Sequence, residues 1–501
     1  MQRSAAILTP LPMLPGPFGL GVMGTEAYAY IDILHRSGFS AWQMLPVEHL
    51  GVCFSPYASV SAFAGEPMLI DPRGLLDMGL ITQDELSARM HEMQADFIDY
   101  PRAHGAQWKI LRTAFSRLNG SRPYAEFCPF WLDDFALYMA LREHYGNMSW
   151  DQWPDKKLKR HDPDSIAAAT LQFSAEMDFF RFVQWLFDLQ WRKLKSYAKA
   201  CGVALIGDMP IYISADSADV WSRRDLFKAN ADGTLPKVSG APPDYFNPNG
   251  QRWGNPVYNW SALRREDYAW WTSRMQAAME RFDLIRLDHF RGFDRYWAIP
   301  ADCPDGRGGI WVRGPGIALF HAMEQKLGKL PIIAEDLGTI DEGVATLLKK
   351  SGFPGMRVLQ FGFDGDGGHL PHQYTENTVA YTGTHDNTTL LAWMFELDEA
   401  TRERALFYLG FDNDWTIGGA RSPINRAWIR TLYQSRAPLV VIPIQDILGY
   451  GADTRTNTPG TIGENWKFRI RAEALAEIDC AYYHALGRVY GRNPSPACRS
   501  D

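Results

Sequence analysis

Eight short runs of apolar, β-forming residues recur along the chain, and most of the gaps between them carry a helical pattern. The runs are SAAILTPL (4–11), FSAWQMLPV (39–47), GVALIGDMPIYI (202–213), FDLIRLDHFRGF (282–293), PIIAEDLGTI (331–340), MRVLQFGFD (356–364), TVAYTGTHDN (378–387) and PLVVIPIQDIL (438–448). Amphipathic spacing predicts helices over 25–37, 261–281, 316–327 and 341–350, and a long one over 174–199 with Ser174 as its N-cap. Strands that alternate with helices pair in parallel, because the crossover carries the chain back to the starting edge of the sheet. Eight such units predict an α/β fold of the closed (β/α)8 TIM-barrel class. With 501 residues, one barrel can also hold insertions. The expected organisation is a single catalytic domain over 1–501, with helical and loop insertions at the C-terminal face of the strands. One is helical, at 72–173. The other is a loop rich in Pro, Gly, Asn and aromatics at 209–260, expected to cover a groove.

The polar residues of the eight runs gather at their C-terminal ends. They are Asp208, Arg286 with Asp288 and His289, Glu335 with Asp336, Asp364, His385 with Asp386, and Gln445 with Asp446. One such cluster is a solvated loop edge. Repeated over several strands of one barrel, the clusters converge, since each strand delivers its last side chains to a common mouth.

Asp288, Glu335 and Asp386 come from three strands and supply three carboxylates. Arg286 and Asp288 are two apart on a strand and share a face, so the guanidinium is expected to keep Asp288 ionised, as a nucleophile must be. Glu335, beside Asp336 and facing two other acids, is expected to hold a proton and act as the acid. An ionised and a protonated carboxyl together are the equipment of a retaining glycosidase. The third acid would stabilise the transition state or hold the sugar's hydroxyls. A metal-dependent hydrolase built on the same acids with His289 and His385 competes with this reading. Against it, the chain has no HxH or HExxH spacing, and Arg286 would oppose a bound cation. A non-catalytic carbohydrate binder is the other alternative. No metal and no cofactor are expected.

The net charge of −7 argues against nucleic acid as a partner. No apolar run is long enough to span a membrane, and Pro and Gly interrupt residues 1–21 before a signal-peptide core could form. Cys53, Cys128, Cys201, Cys303, Cys480 and Cys498 lack CxxC spacing and read as reduced thiols, so the expected location is cytoplasmic.

The stretches LPGPFGLG (14–21), GDMPIYI, PPDYFNPNGQRWGNPVYNW, RLDHFRGF, IIAEDLG, GFPGMRVLQF, YTGTHDN and NTPGTIGENWKFR (457–469) resemble the amylomaltases, the α-1,4-glucanotransferases also called disproportionating enzymes, almost end to end. The resemblance implies a (β/α)8 barrel and a retaining double displacement, with nucleophile Asp288, acid/base Glu335 and third carboxylate Asp386. It implies that Tyr245 and Phe246 cover the groove and that Gln251 and Trp253 contact sugar near the cleaved bond. Arg286, His289 and His385 would bond the sugar at the cleavage point, with Asp208 counted among the substrate-binding residues. Ser55, Tyr57 and Asn457 would contact the non-reducing side. The implied substrates are maltooligosaccharides and starch- or glycogen-derived glucan, with α-glucan hydrolysis as the alternative outcome. The chain departs from the family pattern at Phe54 and Ala58, where an acidic residue and Gln are usual, and at Glu464, where Gly or Ala is usual. It begins directly at the first strand, so the extra N-terminal domain of some bacterial relatives is expected to be absent.

Overall fold

The structure, a computed structural model, describes residues 2–91, 97–230, 232–243, 247–338, 340–363, 368–461 and 463–493. Among the described residues twelve strands are numbered in chain order. Eight of them close a parallel barrel: β1 (Ser4–Leu8), β2 (Ala41–Gln43), β3 (Ala204–Met209), β6 (Leu284–Leu287), β9 (Ile332–Ala334), β10 (Gly355–Val358), β11 (Thr378–Tyr381) and β12 (Leu439–Pro443). Their order around the barrel follows the chain. All eight runs seen in the sequence become strands of this barrel, and the expected fold class holds.

Alternation of side chains builds two layers. Ala6, Leu8, Ile206, Ile333, Met356, Val358, Val379, Tyr381, Leu439 and Val441 fill the interior. Ala5, Ile7, Leu205, Ile285, Leu287, Ile332 and Ala334 face the surrounding helices. Across the interior the Tyr381 hydroxyl donates to Gln43 Oε1 at 2.8 Å. The same alternation, continued past the apolar residues, turns Asp208, Arg286, Asp288 and Glu335 toward the mouth.

The predicted helices at 25–37, 316–327 and 341–350 appear as Thr25–Arg36, Ile317–Leu327 and Glu342–Ser351. The long helix runs Ser174–Ala200, but Ser174 is its first residue rather than its cap, and the Phe173 that precedes it offers no side-chain acceptor. The pattern over 261–281 splits into Trp260–Arg265 and Ala269–Arg281, because Asp267 and Tyr268 adopt left-handed φ values of 52° and 53°. Between β2 and β3 lie the helices Tyr100–Ser116, Leu132–His144 and Pro163–Gln172, among others; Asp99 and Asp162 cap the first and last of these three.

The stretch 209–260 is not simply a loop. It contributes β4 (Lys237–Ala241) and β5 (Gln251–Pro256), which join β7 (Arg295–Pro300) and β8 (Ile310–Arg313) in an antiparallel sheet of order β5-β4-β7-β8. The β5 sequence QRWGNP is poor in strand formers, so pairing with β4 overrides local propensity there.

Candidate active site

Strand register brings the acids together. Asp208 pairs with Arg286 across β3 and β6, and Leu287 pairs with Ala334 across β6 and β9. One residue further on, Asp288 and Glu335 leave neighbouring strands side by side, and such strands lie about 4.8 Å apart. The next peptide confirms the approach: the His289 amide donates to Glu335 Oε2 at 2.7 Å, and the Phe290 amide donates to the Glu335 carbonyl at 3.0 Å. His289 adopts a left-handed φ of 51°, which costs a non-glycine residue about 1 kcal/mol. The two bonds to Glu335 hold that turn in place.

The two carboxyls sit in different surroundings. Asp288 Oδ1 accepts from Arg286 Nη1 at 2.9 Å, and its side chain is 26% exposed. Glu335 is buried, and among the described residues its carboxylate accepts from backbone amides alone, those of His289 and, at 2.8 Å, Leu337. Burial raises its pKa to about 8; Arg286 works against that rise and Asp288 with it. Asp336 plays no part, contrary to the sequence expectation. It turns away to accept from the Met356 amide at 2.6 Å and from Arg357 at 3.0 Å.

Arg286 lies between acids, its Nη1 meeting Asp208 at 2.8 and 2.9 Å as well as Asp288. Burial opposes its charge, and the carboxylates of Asp208 and Asp288 outweigh burial. Asp208, expected among the sugar contacts, has a side chain with no exposed surface and bonds Arg286 and Tyr57. The Tyr57 hydroxyl donates to Asp208 Oδ2 at 2.8 Å and lies 2.9 Å from His385 Nε2, with the two rings stacked. His385 Nε2 in turn lies 3.4 Å from Asp386 Oδ1. One chain of polar contacts therefore runs from Asp288 through Arg286, Asp208, Tyr57 and His385 to Asp386.

Asp386 presents a half-exposed carboxylate, held by the Asn457 side-chain amide at 2.5 Å. Ser55 caps its own turn, its Oγ accepting from the Tyr57 amide at 3.3 Å. Trp253 meets the His289 ring edge-on at 4.8 Å, and its indole donates to Gln251 Oε1 at 3.0 Å. Burial lowers the His289 imidazole to about 4, so it is neutral near pH 7, and its buried Nε2 has no hydrogen-bond partner among the described residues. Such an atom suits a sugar hydroxyl. Tyr245, Phe246 and Asp364 lie outside the described residues. Gln445 and Asp446 serve the scaffold: Asp446 accepts from Thr382 and the Leu390 amide, and Gln445 donates to Thr454 and Thr456. Of the family departures, Phe54 has a left-handed φ of 53° and stacks on Tyr100, whereas Glu464 forms an exposed pair with Lys467.

Two residues at the site escaped the sequence reading. Arg455 donates to the carbonyls of Asp386 and Asn457, and Trp466 packs its ring against Tyr57 and His385. Trp466, flanked by turn residues in GTIGENW, carried the same signal as Tyr245. Arg455, an ordinary loop arginine, carried none.

Comparison with known proteins agrees with this geometry. The family model described as 4-alpha-glucanotransferase matches residues 9–475. The 4-alpha-glucanotransferase of Thermus thermophilus is 39% identical over 506 residues, which cover 98% of this chain and 99% of that one. That of Streptococcus pneumoniae is 37% identical over 483 residues, 95% of this chain and 94% of the relative. The amylomaltase of Streptococcus agalactiae, solved in complex with acarbose, superposes with a TM-score of 0.94 at 37% identity, over 98% of this chain and all of that one. A complete barrel, acids delivered by its strand ends and relatives matched over nearly their whole length lead to one conclusion: the chain belongs to the 4-alpha-glucanotransferase family.

Proposed function

We propose that the chain transfers segments of α-1,4-glucan from one maltooligosaccharide to another by a retaining double displacement. Asp288 attacks the anomeric carbon while Glu335 gives its proton to the glycosidic oxygen, and the reducing-end fragment leaves with a new hydroxyl. The other fragment stays as a glycosyl ester on Asp288. Glu335, now ionised, takes the proton of an acceptor's hydroxyl as its oxygen attacks the same carbon; the ester bond breaks and both acids return to their starting states. Asp386 holds hydroxyls of the reacting sugar. Arg286, His289, His385, Gln251 and Trp253 line the cleavage point, and Ser55, Tyr57 and Asn457 line the non-reducing side. Asp208 orients Arg286.

The observation that carries this reading is the pairing of neighbouring strands that sets partly exposed, guanidinium-bound Asp288 beside buried, proton-holding Glu335. Retaining enzymes need a carboxyl spacing of about 5–5.5 Å, close to the distance between adjacent strands. Starch- or glycogen-derived glucans are the proposed substrates, supported by the acarbose bound to the similar amylomaltase. We further take 1–501 as one catalytic domain, with 72–173 inserted between β2 and β3 and 209–260 covering the groove; β5 with Trp253 supports that cover. The proposed compartment is the cytoplasm, since the five described cysteines are free thiols. Among the described residues no helix is long and apolar enough to cross a membrane.

Incubation with maltotriose tests the reaction. Glucose together with a ladder of longer maltodextrins is expected. Glucose and maltose without longer products would replace transfer by hydrolysis.

A further inference from the structure

After β2 the chain from Val47 to Glu66 folds back on itself. At its base the Glu66 amide donates to the Val47 carbonyl at 2.9 Å and the His49 amide to Ala64 at 2.8 Å. At its neck Leu50 bridges Ser59, and the Gly51 amide donates to Ala58 at 3.0 Å. Beyond the neck, residues 51–58 carry Ser55 and Tyr57 to the barrel mouth. The Glu66 side chain spans this structure from base to neck. Its Oε2 accepts from the Leu50 amide at 2.7 Å and its Oε1 from the Met68 amide at 2.8 Å.

Glu66 is an uncommon group to bury here. It is 3% exposed and lines an apolar cavity with Leu45, Leu50, Phe54, Tyr100 and Trp466. The groups that favour its ionised form are backbone amides rather than a cation. Burying a carboxyl against apolar side chains is costly unless its oxygens are satisfied. Both oxygens are used on amides, one of them at the point where the sugar-facing loop departs. Trp466, which also lines the cavity, packs its ring against Tyr57 of the same loop.

We propose that Glu66 is a positioning residue for the sugar site: through the Leu50 amide it sets the path of residues 51–58 and so the place of the Tyr57 hydroxyl. That hydroxyl meets Asp208 and His385 together, a geometry that tolerates little displacement. The inference rests on the reading of Tyr57 and Ser55 as sugar contacts, so its test separates the two.

The variant is Glu66→Gln, which keeps the size of the side chain but offers one acceptor oxygen to two amide donors. Disproportionation of maltotriose by the full chain is followed in four proteins: wild type, Glu66→Gln, Tyr57→Phe and the double variant. Glu66→Gln is expected to raise KM about 10-fold with a smaller change in kcat, the scale of one lost hydrogen bond to a charged group. In the Tyr57→Phe background the same substitution is expected to change KM less than twofold, because the hydroxyl it positions is gone. An unchanged KM in folded Glu66→Gln, or an equal rise in both backgrounds, overturns the inference while leaving the sugar-site reading standing. An unchanged KM in Tyr57→Phe alone overturns both. Should Glu66→Gln fail to fold, Glu66→Asp, whose shorter carboxylate reaches only one amide, takes its place under the same criteria.

Discussion

Replacing Glu335 with Gln should make the protein relatively more stable as pH rises, at the same time as it removes catalysis. The carboxyl has a pKa of about 8 in the folded chain against 4.5 for the free side chain. A folded-state value above the unfolded one means that the native protein holds a proton the unfolded chain has already released. The cost of ionisation therefore begins near pH 4.5, grows as pH rises and levels off above about 8. At about 1.4 kcal/mol per unit, the slope across that window makes wild type lose roughly 3–4 kcal/mol from this group between pH 5 and pH 8. Gln cannot ionise and escapes the loss. Its amide nitrogen will face one of the two backbone donors now bound to Glu335, which adds a destabilisation that does not vary with pH. The difference between the two proteins, rather than either value alone, is thus the quantity to follow. For 501 residues an unfolding entropy of about 2 cal/mol/K per residue makes 1 kcal/mol worth roughly 1 °C. Scanning calorimetry at pH 5, 6, 7, 8 and 9 should show the Tm of Glu335→Gln gaining about 3–4 °C on wild type between pH 5 and pH 8, and little more by pH 9. A gap that stays constant over this range would refute the raised pKa, and with it the assignment of Glu335 as the proton donor.

The same proton should govern the pH profile: kcat/KM for maltotriose should fall along an alkaline limb centred near pH 8, since Glu335 must be protonated to act as the acid. A limb starting below pH 6 would point to another group. Asp288→Asn should lower turnover by at least about 1,000-fold while leaving oligosaccharide affinity, measured by calorimetric titration with acarbose, within a few-fold; undiminished turnover would remove Asp288 as nucleophile. Activity should survive EDTA, because the guanidinium of Arg286 already stands between Asp208 and Asp288; loss that zinc restores would revive the metal-dependent reading.

The sequence carried the barrel clearly and the site partly, for physical reasons that differ from residue to residue. A strand buried on both faces must be apolar throughout, so IIA and LVVIP stand out, and a polar residue that continues the inward-facing series past such a run is delivered to the mouth. The positions of Asp288 and Glu335 at the strand ends were legible in this way. What local pattern cannot express is pairing. QRWGNP reads as loop because Gly, Asn and Pro disfavour strands, yet its ladder with β4 makes it one. Asp208 and Asp336 look alike in sequence, each an acid at a strand end. The first is sealed under Arg286, and the second, one residue past Glu335, points to the opposite side and fastens β10. Arg455 binds carbonyls, which leave no trace in the identity of the residues that own them.

The unequal treatment of two chemically similar acids follows from one alternation. Asp288 and Glu335 continue the inward series of adjacent strands, so both must reach the mouth, and register alone would make them equivalent. The difference comes from the strand on the other side of β6. There β3 offers Asp208 to Arg286, and the buried ion pair fixes a guanidinium whose remaining contact goes to Asp288. Glu335, one strand further from that charge, is left with two amides and a desolvated pocket. Of the two acids, the one bonded to the cation is suited to attack, and the one whose burial outweighs the more distant cation is suited to hold a proton. Asp208 is thus expected to separate the two roles through Arg286, and Asp208→Asn to lower kcat for maltotriose by a larger factor than it raises KM; a rise in KM alone would refute this.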